Sequence, residues 1–319
     1  MLDPDASYTC SLLPIKRKGS DAMRFVKMHG LGNDYVYVNG FSETIPGDDR
    51  ALAELAQRVS RRRFGIGSDG LILVLPPTRD EAHVRMRMFN ADGSEGEMCG
   101  NGIRCVCKLV RDHGVIASPG DTPRPLKVET PAGVMSLDYE LDDAGAVARV
   151  RVDMGEPILD PERVPIRVDE LGPTSQPQTF AAAVTDRGQH EPSEFLNATF
   201  VSMGNPHATI FVEDLESADF TRLGPLLETH AAFPNRMNVH FVQMLGDDRA
   251  RVRHWERGSG ATLACGTGAC AVAVAASLTG KAGRRLLTHL PGGELEIEWR
   301  DDNRVVMTGP AEEVYRGVV

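Results

Sequence analysis

At 319 residues the chain is long enough for two ordinary domains and a sizeable buried core. Its 41% hydrophobic and 25% charged content fit a soluble globular protein, and its net charge of -10 excludes a surface built for nucleic acid, which needs a basic patch. No apolar run reaches the roughly 18 to 20 residues of a membrane span. Residues 1–22 carry Lys16, Arg17 and Lys18 with no apolar stretch behind them. They read as a flexible extension and not as a secretory signal, with a short transit-type leader as the alternative. Six cysteines without such a signal point to reduced thiols and a cytoplasmic setting.

In chain order, residues 23–28 and 35–38 read as strands on either side of a Gly30-Leu31-Gly32-Asn33-Asp34 turn. Leu52, Leu55, Ala56 and Val59 have helical spacing over 48–62, with Asp48 or Asp49 as N-cap. Residues 71–75 are a buried strand closed by Pro76-Pro77, and 84–89 alternate as a strand that runs into a polar loop. A helix follows over 102–111, a loop over 117–125, then strands at 126–129, 133–139 and 147–153. Residues 155–198 lack periodicity and read as loop and edge structure near a domain junction. The Asn197-Ala198-Thr199 sequon within them is not taken as a glycosylation site, because no secretory signal accompanies it. Strands are expected at 200–203, 208–212, 239–244 and 249–255, and a helix at 218–230. A second apolar helix should open at Cys265, and 285–308 should hold two closing strands.

The order of motifs repeats. Gly32-Asn33-Asp34 parallels Gly204-Asn205-Pro206, and Cys99-Gly100-Asn101-Gly102 parallels Cys265-Gly266-Thr267-Gly268 at nearly the same interval. Two copies of one β-rich unit around one helix explain this pattern. A thiol at a helix N-terminus meets free backbone N–H groups and the positive end of the helix dipole, which favour the thiolate. The glycines beside it let a carboxylate approach those N–H groups. Two such mouths facing each other would hold one carboxylate and put a sulfur on each face of the neighbouring carbon. For an isolated cysteine a structural role is the better reading, and it is kept for Cys105, Cys107, Cys270 and Cys10.

Other chemistries fit less well. The cysteine spacings lack the paired C-x2-C of a zinc ribbon, and no histidine pair stands at i, i+4, so no metal is expected. Gly65-Ile66-Gly67-Ser68-Asp69-Gly70 matches a dinucleotide fingerprint formally, but a strand follows it where that motif needs a helix. Asn33, Asn90, Asn205 and Asn238 stand at predicted strand ends, where they could form a neutral hydrogen-bonding cradle. Glu256-Arg257 lies in a glycine-rich turn and could bind a zwitterion, while His207 could partner a thiol.

Met28-His29-Gly30-Leu31-Gly32-Asn33-Asp34-Tyr35, Phe89-Asn90-Ala91-Asp92-Gly93-Ser94, Cys99-Gly100-Asn101-Gly102, Gly204-Asn205-Pro206-His207 and Glu256-Arg257-Gly258 through Cys265-Gly266-Thr267-Gly268-Ala269-Cys270 together resemble the diaminopimelate epimerases. The likeness runs from Met23 to Val319. It implies an α/β (α+β) fold of two pseudo-symmetric domains, each a sheet wrapped around a central helix, with the site in the cleft between them. The domains would be 23–145 plus 308–319, and 146–307. It further implies cofactor-independent, two-base epimerisation of LL-2,6-diaminopimelate to the meso form, for lysine and cell-wall precursor. Cys99 and Cys265 would be catalytic and His207 and Glu256 would tune them. Asn33, Asn90, Asn205, Asn238, Glu256 and Arg257 would bind substrate, with Gly100, Asn101, Gly266 and Thr267 offering backbone N–H groups. A homodimer touching at Tyr315 is implied, with no nucleic-acid or membrane partner. Gly70, Gly96 and Ala261 depart from the family's usual Gln, branched apolar residue and Glu. Racemisation of another amino acid on the same scaffold, and a non-catalytic thiol sensor, are the competing readings.

Overall fold

Alternating side chains in the first strands divide onto two faces. The computed structural model describes residues 22–96, 98–186, 189 and 191–319, so all but the last residue of the expected 1–22 extension lies outside the described residues. The strands are β1 (Arg24–Gly30), β2 (Asn33–Asn39), β3 (Gly70–Leu75) and β4 (Val84–Asn90). Val36, Val38, Leu71, Leu73 and Phe89 pack with Leu52, Leu55, Ala56 and Val59 of α1 (Asp49–Ser60). That helix starts where expected, with the Asp48 carboxylate accepting from the Ala51 N–H at 2.8 Å. Tyr35, Tyr37, Ile72, Val74, Met86 and Met88 join the central cluster around a second helix, α2 (Gly100–Asp112). β3 is buried on both faces, which is why it reads as an unbroken apolar run.

The first half continues with β5 (Glu95–Gly96) before α2, and with β6 (Leu126–Thr130), β7 (Gly133–Leu141) and β8 (Val147–Asp153) after it. After β9 (Gly172–Pro173) and β10 (Thr179–Val184) the plan recurs. It runs through β11 (Glu194–Ser202), β12 (Pro206–Phe211), α3 (Phe220–Glu228), β13 (Asn238–Met244), β14 (Arg249–Glu256) and β15 (Gly260–Thr262). Then come α4 (Gly266–Leu278), β16 (Arg285–Leu290), β17 (Gly293–Trp299) and β18 (Val305–Pro310), and β19 (Glu312–Val318) closes the chain. The ladders recur too. β2 and β3 are parallel, as are β12 and β13. β4 takes β5 antiparallel and β6 parallel, and β14 takes β15 and β16 in the same senses.

Each copy wraps its sheet around one helix. α2 lies against β1, β2, β7, β8 and β19, and α4 against β11, β12, β13, β16, β17 and β18. α4 is Gly, Ala, Val and Cys on nearly all sides, and a helix apolar all round is a buried one. Among the described residues the strands form one continuous sheet, in which antiparallel β8 and β18 join the halves. The Arg304–Asp153 ion pair at 2.7 Å lies on that seam. No helix of the described residues is long and apolar enough to cross a membrane.

Two stretches differ from the sequence expectation. Within 155–198, β10 and the first half of β11 form an antiparallel hairpin. The alanines of Thr179–Val184 give little contrast between faces, so the two-residue period is faint. The closing region holds β16, β17 and β18 where two strands were expected, and β19 follows. β19 is a mostly exposed edge strand pairing with β1, so no core pattern marks it.

Candidate functional site

The two expected cysteines occupy the same place in the two copies. Cys99 is the N-cap of α2 and Cys265 the N-cap of α4. The Gly102 N–H donates to Cys99 Sγ at 3.3 Å, and Cys99 donates to Asn33 Oδ1 at 3.3 Å. Cys265 Sγ lies 3.6 Å from the Thr267 hydroxyl. The helix mouths adjoin: a Cβ built on Gly266 would stand 3.6 Å from Gly100 Cα, and one on Gly100 3.7 Å from Gly266 Cα. Asn101 ties the halves together, donating to Asn33 Oδ1 at 3.4 Å and to the Ala264 carbonyl at 3.3 Å.

A cleft of about 1190 Å³ opens at these mouths. Asn33, Asn90, Cys99, Gly100, Asn101, Asn205, Glu256, Arg257, Cys265, Gly266 and Thr267 all line it. His207 and Asn238 do not; both are buried in the wall behind. Asn238 donates to the Pro206 carbonyl at 2.8 Å and accepts from the Arg257 N–H at 2.9 Å, so it fastens the Asn205 turn to the Arg257 turn. His207 bonds to Asn205 and His240, and its hydrogen bonds do not reach either sulfur. Tyr315 sits on β19, 43% exposed, edge-on to Phe25.

The electrostatics of the thiols are dominated by burial. Burial pushes Cys99 above the ordinary thiol value, against the Gly102 and Asn101 N–H groups, the Tyr35 hydroxyl and the Arg104 charge. Cys265 is held well above it, first by burial and then by the Glu256 charge, while Thr267 and the Gly268 N–H act the other way. Burial also raises Glu256, opposed by hydrogen bonds from Thr262 and Cys265. Burial thus opposes the charged form of each sulfur, and the neighbouring N–H and hydroxyl groups favour it.

Several supporting residues were not singled out from sequence. Asp69 accepts from Asn33 Nδ2 at 2.8 Å and from the Asp34 N–H at 3.0 Å, and Arg62 bonds both acids at 2.7 Å. Asp69 lies in the glycine-rich loop rejected as a dinucleotide fingerprint, which does lead into a strand. Arg104 is fully buried and donates to the Gly100 carbonyl, Asn101 Oδ1 and the Pro310 carbonyl, each at 3.0 Å. Its helical spacing gives no sign of this, because an arginine there usually faces solvent. The departures also find a physical basis. At Gly70 a Cβ would meet the Phe89 carbonyl at 2.1 Å and the Tyr35 ring at 2.8 Å, so backbone and ring together fill that space. At Gly96 the place of a side chain is taken by Met88 Cε, 2.2 Å from the would-be Cβ. Ala261 lies in β15 opposite Trp255 and lines the cleft without a polar group.

Comparison with known proteins places the chain in a family. The model of the diaminopimelate epimerase family matches residues 25–159 and 199–314. A diaminopimelate epimerase of Moorella thermoacetica is 51% identical over 296 residues, 92% of this chain and 98% of that protein. One of Desulfovibrio desulfuricans is 50% identical over 297 residues, 93% and 98% of the two chains. Among solved structures, a probable proline racemase of Agrobacterium radiobacter superposes with a TM-score of 0.62 at 17% identity, over 93% of this chain and 92% of that one. This last likeness establishes the fold. Fold and relatives together define an isomerase of the racemase and epimerase class. Within that class, the chain belongs to the diaminopimelate epimerase family.

Proposed function

We propose that the chain epimerises LL-2,6-diaminopimelate to the meso form by two-base proton transfer between Cys99 and Cys265, without a cofactor. The observation that carries this reading is the meeting of the two helix mouths, each capped by a cysteine, so close that a Cβ built on Gly266 would stand 3.6 Å from Gly100 Cα. The substrate's reacting carboxylate fits between them, facing the N–H groups of Gly100, Asn101, Gly266 and Thr267. Donors placed there stabilise the charge that gathers on the carboxylate as the α-proton leaves. One sulfur, as thiolate, takes that proton; the other, as thiol, returns one to the opposite face. Glu256 is the acceptor at hand for the Cys265 proton, and burial raises its pKa toward that task. Asn33, Asn90, Asn205 and Arg257 hold the ammonium and carboxylate groups of the substrate, and Asn238 and His207 hold the wall behind them.

The reaction would draw on two units, 23–145 with 308–319 and 146–307. The packing of β8 on α2 supports moving that seam past Asp153. Free thiols at both mouths suit a reducing cytoplasm, and β19 offers a face for a homodimer.

Cys99→Ala and Cys265→Ala are each expected to lower the rate about a hundredfold or more, the scale of a lost general acid or base. Cys105→Ala should leave it nearly unchanged. The measurement is turnover of LL-diaminopimelate, with solvent deuterium uptake at its α-carbon, under reducing conditions. An active Cys265→Ala enzyme would sink the two-thiol reading. Turnover of proline or glutamate in place of diaminopimelate would sink the substrate assignment.

A further inference from the structure

Three fully buried histidines run in a row behind the cleft. His207 on β12, His240 on β13 and His254 on β14 stand on adjacent strands, with His240 and His254 directly opposite in register. His207 Nδ1 lies 2.8 Å from His240 Nε2, and His240 Nδ1 lies 2.7 Å from His254 Nδ1. At the near end His207 Nε2 is 2.9 Å from Asn205 Oδ1, and Asn205 lines the cleft. At the far end His254 Nε2 is buried and has no partner among the described residues. The glycine at 268 makes room for the row, since a Cβ there would come within 2.6 Å of the His240 ring.

Each contact shares a single proton, so the row has only two neutral arrangements, running in opposite directions. In one, the His254 Nε2 left without a partner would carry a proton. In the other it is a bare lone pair. A buried orphan N–H is the rarer and costlier defect, so the second arrangement is favoured. His254 Nδ1–H then donates to His240, His240 Nε2–H donates to His207, and His207 Nε2–H donates to Asn205 Oδ1. That leaves Asn205 Nδ2, which no described residue accepts from, as a donor toward the cleft.

We propose that His207, His240 and His254 act as positioning residues, a tautomer lock that holds the Asn205 amide with its NH2 toward the substrate and so selects a carboxylate at that point. No net proton transfer is involved. The burial that keeps all three rings below the ordinary histidine value favours the neutral state the lock needs. The proposal rests on the reading that the cleft binds an amino acid, but its first test does not.

That test is long-range ¹H–¹⁵N correlation on histidine-labelled, ligand-free protein. The expected result is Nε2–H for His207 and His240 and Nδ1–H for His254. An Nε2–H or doubly protonated His254 overturns the proposal whatever the enzyme turns over. The second test replaces the far end. His254→Leu removes the terminal donor and should raise KM for diaminopimelate about tenfold, the scale of one lost hydrogen bond to a charged group, with a smaller change in kcat. In His254→Asn an amide N–H stands near the place of Nδ1–H and should restore KM. Equal KM for both variants and the parent overturns the lock. If the leucine variant fails to fold, the spectrum of the parent protein still decides. A parent protein that binds no diaminopimelate counts against the epimerase reading alone.

Discussion

Glu256 sets the surroundings of two similarly placed thiols apart. Its charge adds to burial in raising Cys265, whereas Cys99 has Arg104 and Tyr35 lowering it. The pair is symmetric in backbone and asymmetric in charge. Replacing the carboxylate by a neutral amide removes the like charge beside Cys265, so its pKa should fall and its thiolate form at lower pH. Glu256→Gln is accordingly expected to shift the pH dependence of Cys265 alkylation toward acid, read by mass spectrometry of the labelled peptide. The Cys99 curve should hardly move. A Cys265 curve that stays put or moves toward alkali would show that Glu256 does not act through its charge. Cys270 inside α4 is the internal control, since burial pushes it up to about 12 with no route to solvent. The paired cysteines and Glu256 were legible in sequence because they stand beside glycines in short motifs, two of which repeat. The Arg104 charge was not, because nothing in the local pattern distinguishes a buried arginine from a solvated one.

The helix mouth is the unit at which the glycines matter. Gly100 and Gly266 permit the approach of the two helices, and Gly102 fits against Ile72, where a Cβ would stand 2.7 Å from Cδ1. Gly268 is hemmed in by functional candidates: a Cβ there would meet His240 at 2.6 Å and Cys265 Sγ at 3.1 Å. Gly268→Ala must therefore displace either the histidine row or the sulfur. A stability loss of about 1 to 3 kcal/mol, typical of overpacking, is expected by urea denaturation. Turnover should fall more than stability accounts for. A variant with parental activity would show that neither group needs its place. At this scale the repeated Cys-Gly-x-Gly could be read directly, and so could α1, with its cap narrowed to Asp48 or Asp49 and the structure selecting Asp48. β10 could not, because an alanine-rich strand carries little periodic signal.

Over the whole molecule the duplicated plan leaves one notable surface. β19 pairs with β1 on one edge and presents Val314, Tyr315 and Val318, each more than 40% exposed. An apolar edge strand left open invites pairing with another chain, and a second copy is the partner that the Tyr315 expectation names. Sedimentation should give the mass of two chains for the parent protein, and Tyr315→Asp should shift it to one. A single-chain mass for the parent protein would remove the dimer. The sequence alone determined which groups are present: two thiols at helix starts, an acid and a base set among glycines, and strands whose alternation decides their inner faces. These are local properties, written in residue type and short spacing. Tertiary structure alone decided that the two mouths meet, that burial acts against the charge of both sulfurs, and that His207 bonds into a row with His240 and His254. Each depends on which distant strands lie side by side and how much water they exclude, and no local pattern encodes either.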